Sequence, residues 1–241
     1  MGDLPDYTRQ VTIRYEGGFL GLEELAVRLG FPGVWNLKGN IILMEDFESE
    51  LTEWADESTG TCTATRSSRH KFSGDWALKL YNPGGAGAIQ SITRRYFQNP
   101  GSGKFAVFSR WCWTTGNVDN LIGVAISKGT TNYFAEVRYN LISPLTLYIY
   151  TTGGTYYEVD AALDVSPDDY AWFPVLLTFN LDTGYYDKLY FADQEYDISD
   201  VPMYSAELGG DVVASVYVGT GEEETEFTTY VDDIIIAKNV P

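Results

Sequence analysis

The chain has 241 residues, 44% hydrophobic and 15% aromatic, a composition that fits a folded domain with a sizeable core and excludes a disordered chain. With 34 acidic against 16 basic residues its formal net charge is −18. Such a field repels phosphate backbones and anionic headgroups, so neither nucleic acid nor a membrane surface is an expected partner.

The start, Met1-Gly2-Asp3-Leu4-Pro5-Asp6, has no basic stretch followed by an apolar one, so it reads as lacking a signal peptide, with synthesis expected in the cytoplasm. No apolar run approaches the roughly 20 residues of a membrane span. Residues 1–40 read as an N-terminal arm. Tyr7 to Tyr15 forms a short strand with Val11, Ile13 and Tyr15 on one side, and Glu16-Gly17-Gly18 turns the chain. Leu20 to Leu29 follows as a helix. Leu22, Leu25, Ala26 and Leu29 recur at helical spacing, Gly30 stands where a C-terminal cap belongs, and Phe31-Pro32-Gly33 stops it. About three turns of helix cannot stand alone in water. The apolar stripe therefore packs on its own domain, or it mediates self-association or docking to a larger protein assembly.

From Ile41 onward the hydrophobic period is close to two. Strands are predicted at Ile41–Phe47, Thr61–Arg66, Trp76–Tyr81, Ala88–Phe97, Lys104–Trp113, Leu121–Ser127 and Tyr133–Tyr139. They continue at Leu145–Thr151, Thr155–Val159, Trp172–Leu181, Tyr185–Ala192, Val212–Gly219 and Phe227–Ala237. Between them lie turn signals such as Asn82-Pro83-Gly84-Gly85, Asn99-Pro100-Gly101 and Asp182-Thr183-Gly184. Eighteen Tyr and 24 Gly suit strands and tight turns. Many short strands at turn-marked intervals spell an all-β antiparallel sandwich, and residues 41–241 read as one domain. Termini of a sandwich sit together at the surface, so Ile41–Phe47 and Phe227–Ala237 are expected side by side. Cys62 and Cys112 read as two buried thiols of a reducing compartment, with a single bridge between them left open.

Three motifs carry a resemblance. Asp46-Phe47-Glu48 with Trp54 a few residues on, Phe72-Ser73-Gly74-Asp75-Trp76-Ala77-Leu78-Lys79-Leu80, and Val231-Asp232-Asp233-Ile234 together resemble the jelly-roll carbohydrate-binding modules. They are also similar to the wider concanavalin A-like lectin and glucanase sandwiches. The likeness covers residues 41–241 in layout. The whole chain, with its leaderless start, arm and single sandwich, is similar in layout to structural proteins of bacterial viruses.

The resemblance implies a structural calcium ion. In calcium-binding jelly rolls the acids near the first strand and in the last strand meet at one edge. That pattern carries over onto Glu48 and Asp233, with Asp46, Asp75 and Asp232 as further candidate ligands. Calcium takes six to eight oxygens. The plainer reading is that Asp232 and Asp233 cap the final strand, one of them hydrogen-bonded in a turn. No Cys/His cluster marks a zinc site.

Laminarinase-type sandwiches, which resemble this fold, carry their catalytic acids on one face of one strand. The nearest stretch here is Glu158-Val159-Asp160-Ala161-Ala162-Leu163-Asp164, which lacks the final Glu at the family's spacing. Glycoside hydrolysis needs two carboxylates at fixed separation, so catalysis is not expected. The single histidine, His70, sits in the polar stretch Ser67-Ser68-Arg69-His70-Lys71 and reads as a surface residue.

Strand alternation marks a ligand face. Leu145, Leu147 and Ile149 point one way and Tyr148 and Tyr150 the other, while Phe134, Glu136 and Arg138 share one face of their strand and Trp111 and Trp113 share another. Sugars stack on flat aromatics and hydrogen-bond to flanking polar groups. Tyr148, Tyr150, Glu136 and Arg138 are therefore candidate carbohydrate-binding residues, unless these tyrosines fill the core or a subunit contact. Two main readings stand. One is a non-catalytic structural or adhesive subunit of a virus particle or other assembly, displayed on a virion surface; the other is a carbohydrate-binding module. An endo-acting glycosidase is a third. An exposed aromatic face would favour glycan binding.

Overall fold

The period-two segments form strands. The structure, a computed structural model, describes residues 39–84, 91–113, 119–140, 146–161, 172–207, 214–220 and 226–240. The predicted arm, with Leu22, Leu25 and Leu29, lies outside the described residues. The strands are β1 (Asn40–Glu45), β2 (Trp54–Asp56), β3 (Thr63–Ser67), β4 (Ala77–Asn82), β5 (Ile92–Tyr96), β6 (Lys104–Trp113), β7 (Asp119–Lys128) and β8 (Thr131–Asn140). They continue with β9 (Thr146–Thr151), β10 (Thr155–Asp160), β11 (Trp172–Asn180), β12 (Tyr185–Phe191), β13 (Gln194–Asp197), β14 (Tyr204–Glu207), β15 (Ala214–Thr220) and β16 (Phe227–Lys238). Three of them, β2, β13 and β14, were not expected. Each has only three or four residues, too few for alternation to show.

The strands make two antiparallel sheets packed as a sandwich. The first runs β13-β12-β11-β6-β16-β4-β3, with β1 also on β16; the second runs β10-β9-β8-β7-β15-β5-β2, with β14 also on β8. Alternation sends Leu78, Leu80, Trp111, Leu177, Ile234 and Ile236 of the first sheet against Ile122, Val124, Val137, Leu147, Ile149 and Val216 of the second, all at most 2% exposed. Each such side chain contributes roughly 1.5–3 kcal/mol by leaving water. Tyr139 sits at the centre of the aromatic packing, its ring 5.5 Å from Trp111, 5.4 Å from Phe173 and 5.2 Å from Phe191. Cys62 and Cys112 are both buried and are not joined in a disulfide. Burial pushes the Cys112 thiol up to about 12.

The first and last strands pair as expected, Ile41 opposite Ala237 and Glu45 opposite Ile234. Yet β1 covers only half of β16. The other half, Phe227 to Val231, pairs with β4. The second sheet repeats this device. One half of β8, Val137 to Asn140, pairs with β9, and the other half, Thr131 to Phe134, pairs with β14. Where two short strands share one edge of a long one, backbone groups at the break lose their ladder partners. At the break in β8 the partner comes from the opposite sheet. Tyr186 of β12 reaches through the core, accepts a hydrogen bond from the Glu136 N–H at 3.1 Å and donates to the Tyr150 carbonyl at 2.7 Å.

Tyr186→Phe removes that hydroxyl and little else, leaving a buried N–H and a buried carbonyl unpaired. We expect a loss of about 1–3 kcal/mol in urea unfolding with an unchanged slope. An unchanged midpoint would show that the hydroxyl does not hold the break together.

Candidate functional site

The inward residues of the second sheet fix which residues face out. With Ile122, Val124, Val137, Ile149 and Val216 in the core, Gly123, Glu136, Arg138, Tyr148, Tyr150 and Tyr217 lie on the outer face. Register then lines them up across the sheet. Tyr156 lies opposite Tyr150, Glu136 opposite Gly123, Gly123 opposite Tyr217, and Tyr217 opposite Arg94. In the neighbouring row Glu158 is opposite Tyr148 and Tyr148 opposite Arg138.

Gly123 shapes this row by having no side chain. A Cβ there would stand 2.5 Å from the Tyr217 ring carbon Cζ, so the ring lies over the bare backbone of β7. That lets the Tyr217 hydroxyl reach Glu136 two strands away and donate to Oε2 at 2.7 Å. From the other side the Tyr156 hydroxyl donates to Oε1 at 2.5 Å. Glu136 is only 6% exposed although it faces away from the core. Burial pushes its pKa above the ordinary carboxylate value, against the pull of the two hydroxyls and of Arg138. Burial likewise raises both tyrosines, and the Glu136 carboxylate adds to it.

Arg138 is locked in place. Its Nε donates to both carboxylate oxygens of the buried Asp119, at 2.7 and 2.8 Å, and a terminal nitrogen donates to the same carboxylate. Its guanidinium lies 5.0 Å from the Tyr156 ring centre. Around these polar groups stands a chain of aromatic rings. Tyr156 is 6.4 Å from Tyr148 and 5.2 Å from Tyr150, Tyr150 is 4.8 Å from Tyr204, and Tyr204 is 5.4 Å from Phe134. Tyr156 is 38% exposed, and Tyr148, Tyr150, Tyr204 and Phe134 are half-buried. A buried polar floor bounded by accessible rings is the relief that results.

The four expected residues, Tyr148, Tyr150, Glu136 and Arg138, thus share one face. Tyr156, Tyr217, Asp119 and Tyr204 join them, and only strand pairing brings them in.

Of the predicted calcium residues, Asp232 and Asp233 sit at the break in β16. Asp232 accepts from the Phe72 and Ser73 N–H groups at 2.9 and 3.0 Å, and from the Asp233 N–H at 2.9 Å. Asp233 accepts from the Ser73 hydroxyl at 2.9 Å and pairs with Arg110 at 3.3 Å. Glu48 accepts from the Asp75 and Trp76 N–H groups at 2.7 and 2.9 Å. Asp46 accepts from the Glu48 N–H at 3.1 Å, and Asp75 pairs with Lys71 at 3.3 Å. Each of the five carboxylates is turned onto a hydrogen-bond donor or a cation. Among the described residues no group of three His, Cys, Asp or Glu side chains is placed to hold a metal. Asp232 and Asp233 do not cap the strand end: they form a bulge inside β16, with Asp233 at φ 52°.

Two further expectations change. His70 is half-buried, its ring 4.8 Å from that of Tyr230, and desolvation lowers its pKa. In the hydrolase-like strand a register shift separates Glu158 from Asp160. Glu158 pairs with outward-facing Tyr148 and Asp160 with core-facing Leu147, so the two acids point to opposite faces. Asp164 and the side chain of Trp113 lie outside the described residues.

No family model and no curated protein sequence matches the chain. Solved structures do. An endo-β-1,4-glucuronan lyase from the fungus Trichoderma reesei superposes with a TM-score of 0.53 at 13% identity, covering 82% of this chain and 95% of that one. The cellulose-induced protein Cip1 gives 0.48 at 14% identity, covering 81% and 96%. The C-terminal family 22 carbohydrate-binding module of Clostridium thermocellum Xyn10B gives 0.43 at 14% identity, covering 85% and 98%. This is the jelly-roll sandwich that the three motifs implied; at such identities the likeness establishes the fold alone.

Two outcomes are expected. Because folding raises the Glu136 pKa, the stability it contributes is fully present below the unfolded value of about 4.3 and is lost as pH rises through the folded value. Glu136→Gln removes that dependence, so the stability of the variant relative to wild type should grow from pH 4 to pH 7 in urea unfolding. A constant difference would contradict the shift. The second outcome concerns the acids of the β16 break: calcium and then a chelator should leave the thermal midpoint unchanged, whereas a calcium-dependent rise would show a site there.

Proposed function

We propose that the chain is a non-catalytic glycan-binding module whose site is the outer face of the second sheet. One observation carries the reading: Glu136, buried on a non-core face, orients two tyrosine hydroxyls beside a chain of accessible aromatic rings. Pyranose rings present C–H faces that stack on such rings. Their hydroxyls need partners whose direction is fixed beforehand, because ordering a loose side chain costs affinity. The Tyr156 hydroxyl is fixed by Glu136, and Arg138 by Asp119. The opposite faces of Glu158 and Asp160 favour binding without hydrolysis. The competing reading, a structural subunit of a particle, rests on the arm, whose residues are not described.

The experiment is affinity electrophoresis followed by calorimetry against a panel of soluble polysaccharides. The wild type should be retarded by at least one of them. Tyr156→Ala and Tyr148→Ala should each weaken that binding about tenfold, roughly 1.4 kcal/mol. Tyr185→Ala, which removes a 42% exposed tyrosine of the first sheet, should not. Retardation by no polysaccharide would end the reading.

A further inference from the structure

We infer that the glycan is a neutral polysaccharide, and that the face is built to accept sugar hydroxyls and to exclude uronic acids. The inference rests on the glycan-binding reading above and narrows it to a chemical class.

The first argument concerns protons. Tyr156 and Tyr217 each carry one hydroxyl hydrogen, and both hydrogens are given to Glu136. What the phenol oxygens still offer is lone pairs, chiefly that of Tyr156, which is 38% exposed where Tyr217 is buried. Glu136, with one hydroxyl on each oxygen, is also an acceptor. A ligand meeting this set must bring donors. A sugar hydroxyl does; a carboxylate has no hydrogen to give.

The second argument concerns cations. Recognition of a carboxylate favours a guanidinium with its fork of N–H groups open. Among the described residues, two arginines lie on this face, and both already hold an acid. Arg138 makes its several bonds to Asp119. Arg94 donates to Glu57 at 3.0 Å and to the Ser215 hydroxyl at 3.4 Å, and its guanidinium lies 5.1 Å from the Tyr217 ring centre. A uronate would meet guanidinium groups whose Nε edges are already taken by Asp119 and Glu57, so each offers it a partly neutralised cation.

The third argument is the field. Glu136, Asp119, Glu57 and Glu158 outnumber the two arginines locally, and the chain as a whole carries −18. A polyanion approaches against that potential. A neutral chain does not feel it. The glucuronan lyase thus shares the sandwich, but the surface of this chain is suited to a different charge class.

Matched pairs test the inference, because their members differ only in a carboxylate. Suitable pairs are β-1,4-glucan with β-1,4-glucuronan, and β-1,4-mannan with β-1,4-mannuronan; xylan with and without glucuronic acid branches extends the set. For whichever backbone binds, calorimetry should give a dissociation constant at least about tenfold weaker for the uronate. Asp119→Asn, which releases Arg138 and removes one negative charge, should narrow that gap. Glu57→Gln does the same for Arg94 at a more exposed position and serves if the first variant fails to fold. Wild-type protein that binds the uronate as tightly as its neutral partner would overturn the inference and leave the glycan reading standing. If no member of any pair binds, the inference falls, and the glycan reading is decided by the wider polysaccharide panel.

Discussion

A long strand has only one edge on each side, and in this fold two strands ask for the same edge twice. β9 and β14 both lie on β8, and neither reaches across the break between them. The Tyr186 hydroxyl supplies what a ladder would have supplied: an acceptor for the Glu136 N–H and a donor for the Tyr150 carbonyl. Because those groups belong to two residues of the candidate face, the outer surface of one sheet is positioned from the inner surface of the other. A buried polar bridge of this kind is useful only when both ends are satisfied, and here both are.

The break in β16 is handled differently. The chain bulges at Asp232 and Asp233; the Asp232 carboxylate collects the Phe72 and Ser73 N–H groups of the segment that leads into β4, and Asp233 accepts the Ser73 hydroxyl with Arg110 against it. Burial lowers the Arg110 pKa to about 10, which still leaves it charged at neutral pH. Its guanidinium also lies 3.7 Å from the Phe72 ring centre. An ion pair removed from water gains little net stability, because desolvation offsets much of the attraction. The N–H groups of Phe72 and Ser73 change the balance: they would otherwise be left without a ladder. The conspicuous acids of the Asp46-Phe47-Glu48 and Val231-Asp232-Asp233-Ile234 motifs thus do backbone work. Phe47 goes to the core beside Trp54, their rings 5.6 Å apart.

Much of this was legible in the sequence, for identifiable reasons. Strands of five or more residues alternate long enough to be read, so β6 was placed to the residue and β8, β9 and β12 within two. Alternation also placed Tyr148 and Tyr150 opposite Leu147 and Ile149, and Glu136 in line with Arg138. What alternation does not contain is which strand lies beside which. Tyr217 reaches Glu136 only because β15 and β8 flank β7, and Asp119 meets Arg138 only through the register of β7 on β8. Bulges were hidden for the same reason. Glu158 and Asp160 have the spacing of one face and, after a single extra residue, the orientation of two.

Gly123 bears on how such a site is recognised at all. It offers no hydrogen bond, no charge and no ring, yet a methyl group at this position would occupy the volume that Tyr217 fills. The lever arm that carries a hydroxyl to Glu136 is therefore set by an empty place. A search for function that inventories reactive groups passes over such a residue. One that also inventories vacancies finds the spacer that tunes the distance between two others.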